Sequence, residues 1–150
     1  HPSNLGPLYD ALKAGSLGGY WLQVISSPNA LMPVVPWSMD AMKKGLDECD
    51  VVIIPQEDTK QNRCKGANRM VEAIRSGRFV VANPMPAYEQ FKEWMFIGDI
   101  REGLEWTKTN GPEITERIRG AQKYLEKTFS PRKIAAQWES VLTSAAVTSG

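Results

Sequence analysis

The sequence predicts an α/β domain in which a parallel sheet carries helices on both faces, and three features lead there. "VVIIP" at 51–55 and "FVVA" at 79–82 are continuous, apolar and rich in branched side chains, as befits strands buried on both faces. Segments with helical periodicity separate and follow these runs. Proline, glycine and asparagine stand where each run should stop, at Pro55, Gly77 and Asn83-Pro84.

Taken in order, residues 1–16 read as a loop and a helix from about Leu5 to Ala14. Ser3 or Asn4 is its N-cap, Pro7 lies in the first turn and Gly15 closes it. Gly18-Gly19 reads as a turn rather than a phosphate loop, because no G-x-G-x-x-G follows a strand. "YWLQVIS", 20–26, is aromatic and β-branched and reads as a strand ended by "SPN". "LMPVVPW" is too proline-broken for a central strand and fits an edge or a loop. Ser38 caps a helix through Cys49, with Met39, Met42 and Leu46 at helical spacing.

Beyond "VVIIP" lies a polar stretch, "QEDTKQNRC", without periodicity, and then "KGANRMVEAIRSG", read as a helix that ends at Gly77. After "FVVA" comes a loop, then a helix with Pro86 near its start, then "FIG" as a short final strand. Asp99 caps "IREGLEWTK". Two terminal helices, near 112–128 and 131–145, are divided by "FSPRK", and "AVTSG" reads as a frayed end. Four or five strands are expected, all in one domain over 1–150. The surplus of helix at the end suggests packing against something outside this chain.

Composition narrows the function classes. With 150 residues and 42% hydrophobic content, the chain can bury the core of one ordinary domain. A net charge of +1 lacks the basic excess of a nucleic-acid binder, so no nucleic acid is expected as partner. No apolar run is long enough to cross a bilayer, and no signal peptide opens the sequence. Cys49 and Cys64 have no metal spacing and are too few for a disulfide framework; a reducing, cytoplasmic setting is expected, with a single disulfide left open. "HPSNLGPLYDAL" already reads as a loop running into a helix, so a piece of a longer protein is expected, with a processed mature chain as the alternative.

Ligands of open parallel sheets bind beyond the carboxyl ends of the strands. Two such ends stand out here: the loop 56–64 after "VVIIP", and Asn83-Pro84-Met85-Pro86 after "FVVA". The crossover helix between them, begun at Lys65, sets Lys65, Asn68, Arg69 and Glu72 on one side and Ala67, Met70, Val71 and Ile74 on the other. Helix N-termini favour anions, so Lys65 and Arg69 suit a diphosphate, while Glu72 can accept from two sugar hydroxyls and Asn68 can donate or accept between them. Any surface helix shows a polar face, and these charges also fit plain ion pairing. The position of the stripe, after a polar loop at the end of a buried strand, favours a site.

"DVVIIP", the polar loop, "KGANRMVEAIRSGRFVVANPMPAY" and "SPRKIAAQWESVL" together resemble the C-terminal, nucleotide-sugar-binding domain of GT-B fold glycosyltransferases, nearest the family 4-like group (glycosyl transferases group 1). The likeness covers about 17–142. It implies a Rossmann-like fold forming the C-terminal half of a GT-B protein, with the first strand of that half ahead of His1. The family's E-A-x-x-x-G core corresponds to Glu72-Ala73-Ile74-Arg75-Ser76-Gly77, so Glu72 is implied to bind the donor ribose. Lys65, Asn68 and Arg69 occupy the stretch facing the sugar diphosphate, and Asn83 the second donor-facing loop. Many members have E-x₇-E, but eight positions before Glu72 this chain has Cys64. Glu57 or Asp58 is a candidate substitute from the loop.

The resemblance implies a glycosyltransferase whose donor is a nucleoside-diphosphate sugar, with no further cofactor. It also implies a partner, an N-terminal acceptor domain outside this chain, through which any association with a membrane surface would run. Glu57-Asp58 lacks D-x-D spacing, so no metal is expected; no catalytic residue is assigned, and His1 is a poor candidate base. Trp94, Trp106 and Trp138 read as packing residues on amphipathic helices. The isolated chain is expected to bind a nucleoside diphosphate weakly and to transfer nothing. The alternatives are a nucleotide-sugar epimerase of the same fold, and a non-catalytic flavodoxin-like binding module.

Overall fold

The computed structural model describes residues 14–27 and 34–147, together with Gly6, Leu8 and Ala11. The helix expected over 5–14, with Ser3 and Asn4, lies largely outside the described residues, as does His1. The chain is α/β, and its centre is a parallel sheet of three strands: β5 (Val51–Ile54), β6 (Phe79–Ala82) and β7 (Phe96–Ile97), in that spatial order. β5 pairs with β6 in the register Val51–Phe79 to Ile54–Ala82, and Val81 and Ala82 pair with Phe96 and Ile97. Both apolar runs are therefore the parallel strands that their composition predicts.

Four shorter strands precede this sheet. β1 (Ser16–Leu17) and β2 (Tyr20–Trp21) form a hairpin around Gly18 and Gly19, whose φ values of +58° and +84° suit the tight two-residue connection. β3 (Ile25–Ser26) runs parallel to β4 (Val35–Pro36). The single strand expected over 20–26 is thus divided: its start turns back in the hairpin and its end pairs forward. Tyr20 Oη lies 2.8 Å from Thr107 Oγ1, which holds the hairpin on a later helix and away from the line of β3.

Helix α1 (Met39–Glu48) starts at Ser38, whose Oγ accepts from the Ala41 N–H, and it leads into β5. Gly45 lets it approach β3: a Cβ there would stand 2.4 Å from Ile25 Cδ1. Met39, expected on the packed face, is 51% exposed. The polar stretch contains one short helix, α2 (Lys60–Arg63), started by a Thr59 Oγ1 cap on the Asn62 N–H. The crossover helix α3 (Asn68–Arg75) packs against β5 and β6 through Met70, Ala73 and Ile74, all fully buried. Gly77, at φ +73°, ends it in a Schellman turn, with Gly77 N–H bonded to Ile74 O and Arg78 N–H to Ala73 O, both at 2.9 Å.

The segment after β6 forms a 3-10 helix, Pro86–Phe91, that buries Tyr88 and Phe91. Asp99 caps α4 (Ile100–Thr109), Oδ1 accepting from the Arg101 and Glu102 N–H groups. α5 (Gly111–Phe129) and α6 (Pro131–Val147) close the chain. All four residues of β6 are 0% exposed, so both faces of the central strand are covered. Trp106 of α4 stacks on Phe79 with ring centroids 5.6 Å apart, and Gly103 brings the helix backbone close to Val81. A fully buried large side chain such as Phe79 contributes about 1.5–3 kcal/mol relative to exposure.

Gly103 sets the distance between α4 and the sheet, because a Cβ there would fall 2.5 Å from Val81 Cγ1 and 2.7 Å from Phe96 Cδ1. Gly103→Val is expected to destabilise the fold by about 1–3 kcal/mol through overpacking. Gly111, with open space around its Cβ position, is the control. Gly111→Ala is expected to be neutral or mildly stabilising, and urea unfolding of both variants checks the pair.

Candidate functional site

The three parallel strands end at a common edge, and a polar cluster ties the loops that leave it. Asn83, just past β6, accepts the Gln56 backbone N–H on Oδ1 at 3.1 Å. Its Nδ2 donates to Gly98 O, just past β7, at 3.5 Å. Gln56 is buried, and its Oε1 accepts the Tyr88 hydroxyl at 2.7 Å. Asn83, expected to face a ligand, therefore spends both ends of its amide on neighbouring strand ends and acts as a brace for the loop. Gln56 and Tyr88 are members of this cluster that sequence reading missed. The local signal for Gln56 is a polar residue just past Pro55, which stops the strand; Tyr88 has none.

The loop beyond Gln56 is also tied down. Asn62 is buried and donates from Nδ2 to Glu57 O at 2.8 Å. Arg63 pairs with Asp58 through two bonds, at 2.5 and 2.6 Å, which hold the exposed Asp58 carboxyl below its usual range. Asp58, a candidate for binding by its place in the loop, is thus engaged by a cation. Cys64 itself is an exposed thiol at the end of α2, and Cys49 is a half-buried one, so the two are unbridged.

The polar stripe is only partly helical. α3 begins at Asn68, so Lys65 belongs to the loop ahead of it, its N–H bonded to Asn62 O. The Gly66 that follows Lys65 in sequence accounts for the break, since glycine is a poor helix former. Ala67 has no side-chain acceptor, leaving the first N–H groups of α3 without a side-chain cap. Lys65, Asn68, Arg69 and Glu72 are all exposed. Among the described residues, Lys65, Arg69 and Glu72 make no ion pair, although Arg69 and Glu72 are three positions apart on one helix.

Arg69 and Glu72 line a cleft of about 500 Å³. One wall is 20–26 and the other is 48–55; α1 contributes Met42, Gly45 and Leu46, and Leu8 and Leu104 also reach the cleft. Asn83 and Lys65 are not part of its lining. The structure therefore brings together two of the five expected residues, leaves Lys65 and Asn68 exposed outside that lining, and gives Asn83 a bracing position. The cation of Arg69 also acts on Tyr88: burial raises the Tyr88 phenol above its ordinary value of 10.0, and Arg69 opposes that rise.

The tryptophans separate by role. Trp94 lies in the turn after the 3-10 helix rather than on a helix and packs on Tyr124 at 4.7 Å, while Trp106 stacks on Phe79. Trp138, on α6, is 62% exposed and packs no core. Among the described residues no three His, Cys, Asp or Glu side chains gather as metal ligands, and no helix is long and apolar enough to cross a membrane. No family model, curated protein or solved structure matches the chain.

Asn83→Ala leaves the buried Gln56 N–H without its acceptor and is expected to cost about 1–3 kcal/mol in urea unfolding. Tyr88 gives a pH signature. Its phenol is raised in the folded state, so the contribution of the neutral form is complete below pH 10.0 and is lost as pH rises through the higher folded value. Stability measured from pH 9 to 11 is expected to fall more steeply in the parent than in Tyr88→Phe.

Proposed function

We propose that this chain is the donor-binding half of a glycosyltransferase and holds the nucleoside diphosphate of a sugar donor beside the end of β5. The observation that carries the reading is the pair Arg69 and Glu72: charged, unpaired among the described residues, and lining one cleft at a parallel-sheet edge. The guanidinium offers planar, two-pronged donation to phosphate oxygens, and the uncapped start of α3 adds backbone donors nearby. Lys65, exposed in the loop just ahead of α3, is the second cation of this reading. Glu72, one turn deeper along α3, is placed to accept from two vicinal hydroxyls of the pentose.

In this reading the chain's contribution to transfer is electrostatic. Arg69 and Lys65 offset the charge that grows on the departing diphosphate, and Glu72 fixes the nucleoside against which that charge develops. Transfer also needs an oriented acceptor hydroxyl and exclusion of water, which this reading assigns to a second domain. The proposal therefore couples nucleotide binding by this chain to an acceptor domain elsewhere. The exposed apolar residues of α6 – Ile134, Trp138, Val141 and Leu142 – are in keeping with such a partner.

UDP, GDP and ADP, added separately at millimolar concentration, test the reading by thermal unfolding. One of them is expected to raise the midpoint, since a ligand that binds only the folded state stabilises it. Arg69→Ala is expected to weaken that diphosphate about tenfold, equivalent to about 1.4 kcal/mol. Glu72→Ala is expected to remove the preference for the ribonucleotide over its 2′,3′-dideoxy analogue. Indifference of the parent to all three diphosphates would defeat the proposal.

A further inference from the structure

α6 is set off from the body of the fold. Ser130, extended at ψ 146°, and Pro131 break it from α5, and every side chain from 131 to 143 is exposed. Among the described residues α6 makes no ion pair. A lone helix of this length is marginal in water, because helices in proteins gain most of their stability by packing an apolar face. α6 has such a face: Ile134, Trp138, Val141 and Leu142 recur at helical spacing and are 38% to 64% exposed. Arg132 and Glu139, two turns apart, flank that face on one side.

A surface of matching length and chemistry lies on the same chain. The 48–55 wall of the cleft is about 20–25 Å long at the rise of a strand. α6, with 17 residues, is about 25 Å long. The cleft is lined largely by apolar side chains, and Trp21 and Trp37 stand on it 76% and 58% exposed. Aromatic side chains around an apolar floor are where protein contacts concentrate their energy. The charges correspond as well. Glu48 of the cleft is paired with Lys44, whereas Asp50, Glu72 and Arg69 are in no ion pair among the described residues. Two carboxylates and one guanidinium thus stand opposite the inverse set on α6, the cations Arg132 and Lys133 and the carboxylate Glu139.

We infer that α6 docks in the cleft of a second copy, and that two copies exchange the helix reciprocally to close a dimer. α6 lies along β5 in the same direction, with Arg132 toward Asp50 and Glu72, Trp138 between the walls, and Glu139 toward Arg69. One face of four large apolar side chains is a small contact against the roughly 1,200–2,000 Å² that stable interfaces bury, and reciprocal exchange doubles it. The apolar face of α6 can hold a second copy or an acceptor domain, but not both at once. The inference does not rest on the nucleotide reading, which the response to UDP, GDP and ADP decides by itself.

Sedimentation of the whole chain, from micromolar to submillimolar concentration, is expected to show a monomer–dimer equilibrium that stops at twice the chain mass. Trp138→Ala, at an exposed position, is expected to raise the dissociation constant at least about thirtyfold. Arg69→Glu and Glu139→Arg are each expected to weaken the dimer severalfold, and the double variant to recover it. A thiol trap identifies what the helix touches. Under mild oxidation, Ile134→Cys is expected to form an intermolecular disulfide with Cys49, which lines the cleft beside Asp50, and not with the exposed Cys64.

A chain that stays monomeric throughout would overturn the inference, as would a dimer indifferent to Trp138→Ala. Position 134 linked to its own counterpart would mean that two α6 helices pair with each other. A link to Cys49 of the same chain would mean that α6 folds back on its own body. Either result overturns the exchange, and so does the absence of any link to Cys49. A double charge variant no better than its singles would remove the docking mode. Mass that keeps growing beyond the dimer would mean an open head-to-tail chain and would overturn the reciprocal closure.

Discussion

Complete burial of Phe79–Ala82 is the constraint from which the rest of the structure follows. A parallel strand with no exposed residue needs a strand on each side and a helix over each face, and β5, β7, α3 and α4 meet that demand. The neighbours are shaped to fit: Gly103 lets α4 come close to Val81, and Trp106 spreads over Phe79. Once this strand is enclosed, its carboxyl end is a fixed point. Asn83 uses that fixed point to tie Gln56 and Gly98, and through them the loops from three strands.

The bracing has a consequence for chemistry. Loops at the end of a parallel sheet can present ligand-binding groups only if their own backbone is held, and here Asn83, Gln56, Tyr88, Asn62 and the Asp58–Arg63 pair do the holding. Lys65, Arg69 and Glu72 are not spent in this way and make no ion pair among the described residues. The division is physical: polar groups within reach of the folded loops are consumed there, while the charges on α3 and just ahead of it are exposed. The proposed donor site is built from the second set.

Several elements could be read directly from the residues. Ser38 and Asp99 are N-caps with the expected bonds, Gly18-Gly19 is a turn, Gly77 ends α3, and both apolar runs are parallel strands. Local chemistry settles each of these, so no knowledge of the fold was required. The failures have a different character. The 20–26 strand is split because Tyr20 finds Thr107, 87 positions away. α3 starts three residues later than its polar periodicity suggests, because Gly66 and the bond from Lys65 to Asn62 shape the chain ahead of it. Asn83 and Asp58, plausible ligand contacts by position, are taken up by partners that only the folded chain brings near.

The residue pattern alone determined the α/β class, the two apolar parallel strands and the charged stripe, since periodicity, capping and turn chemistry act over a few positions; of the two strands only Phe79–Ala82 is fully buried, Val51–Ile53 being half-buried. The tertiary structure alone decided which polar groups stay open and that Arg69 and Glu72 share a cleft with 20–26 and 48–55. Those properties depend on distances between residues far apart in sequence, set by the packing of helices on the sheet, which no local pattern encodes.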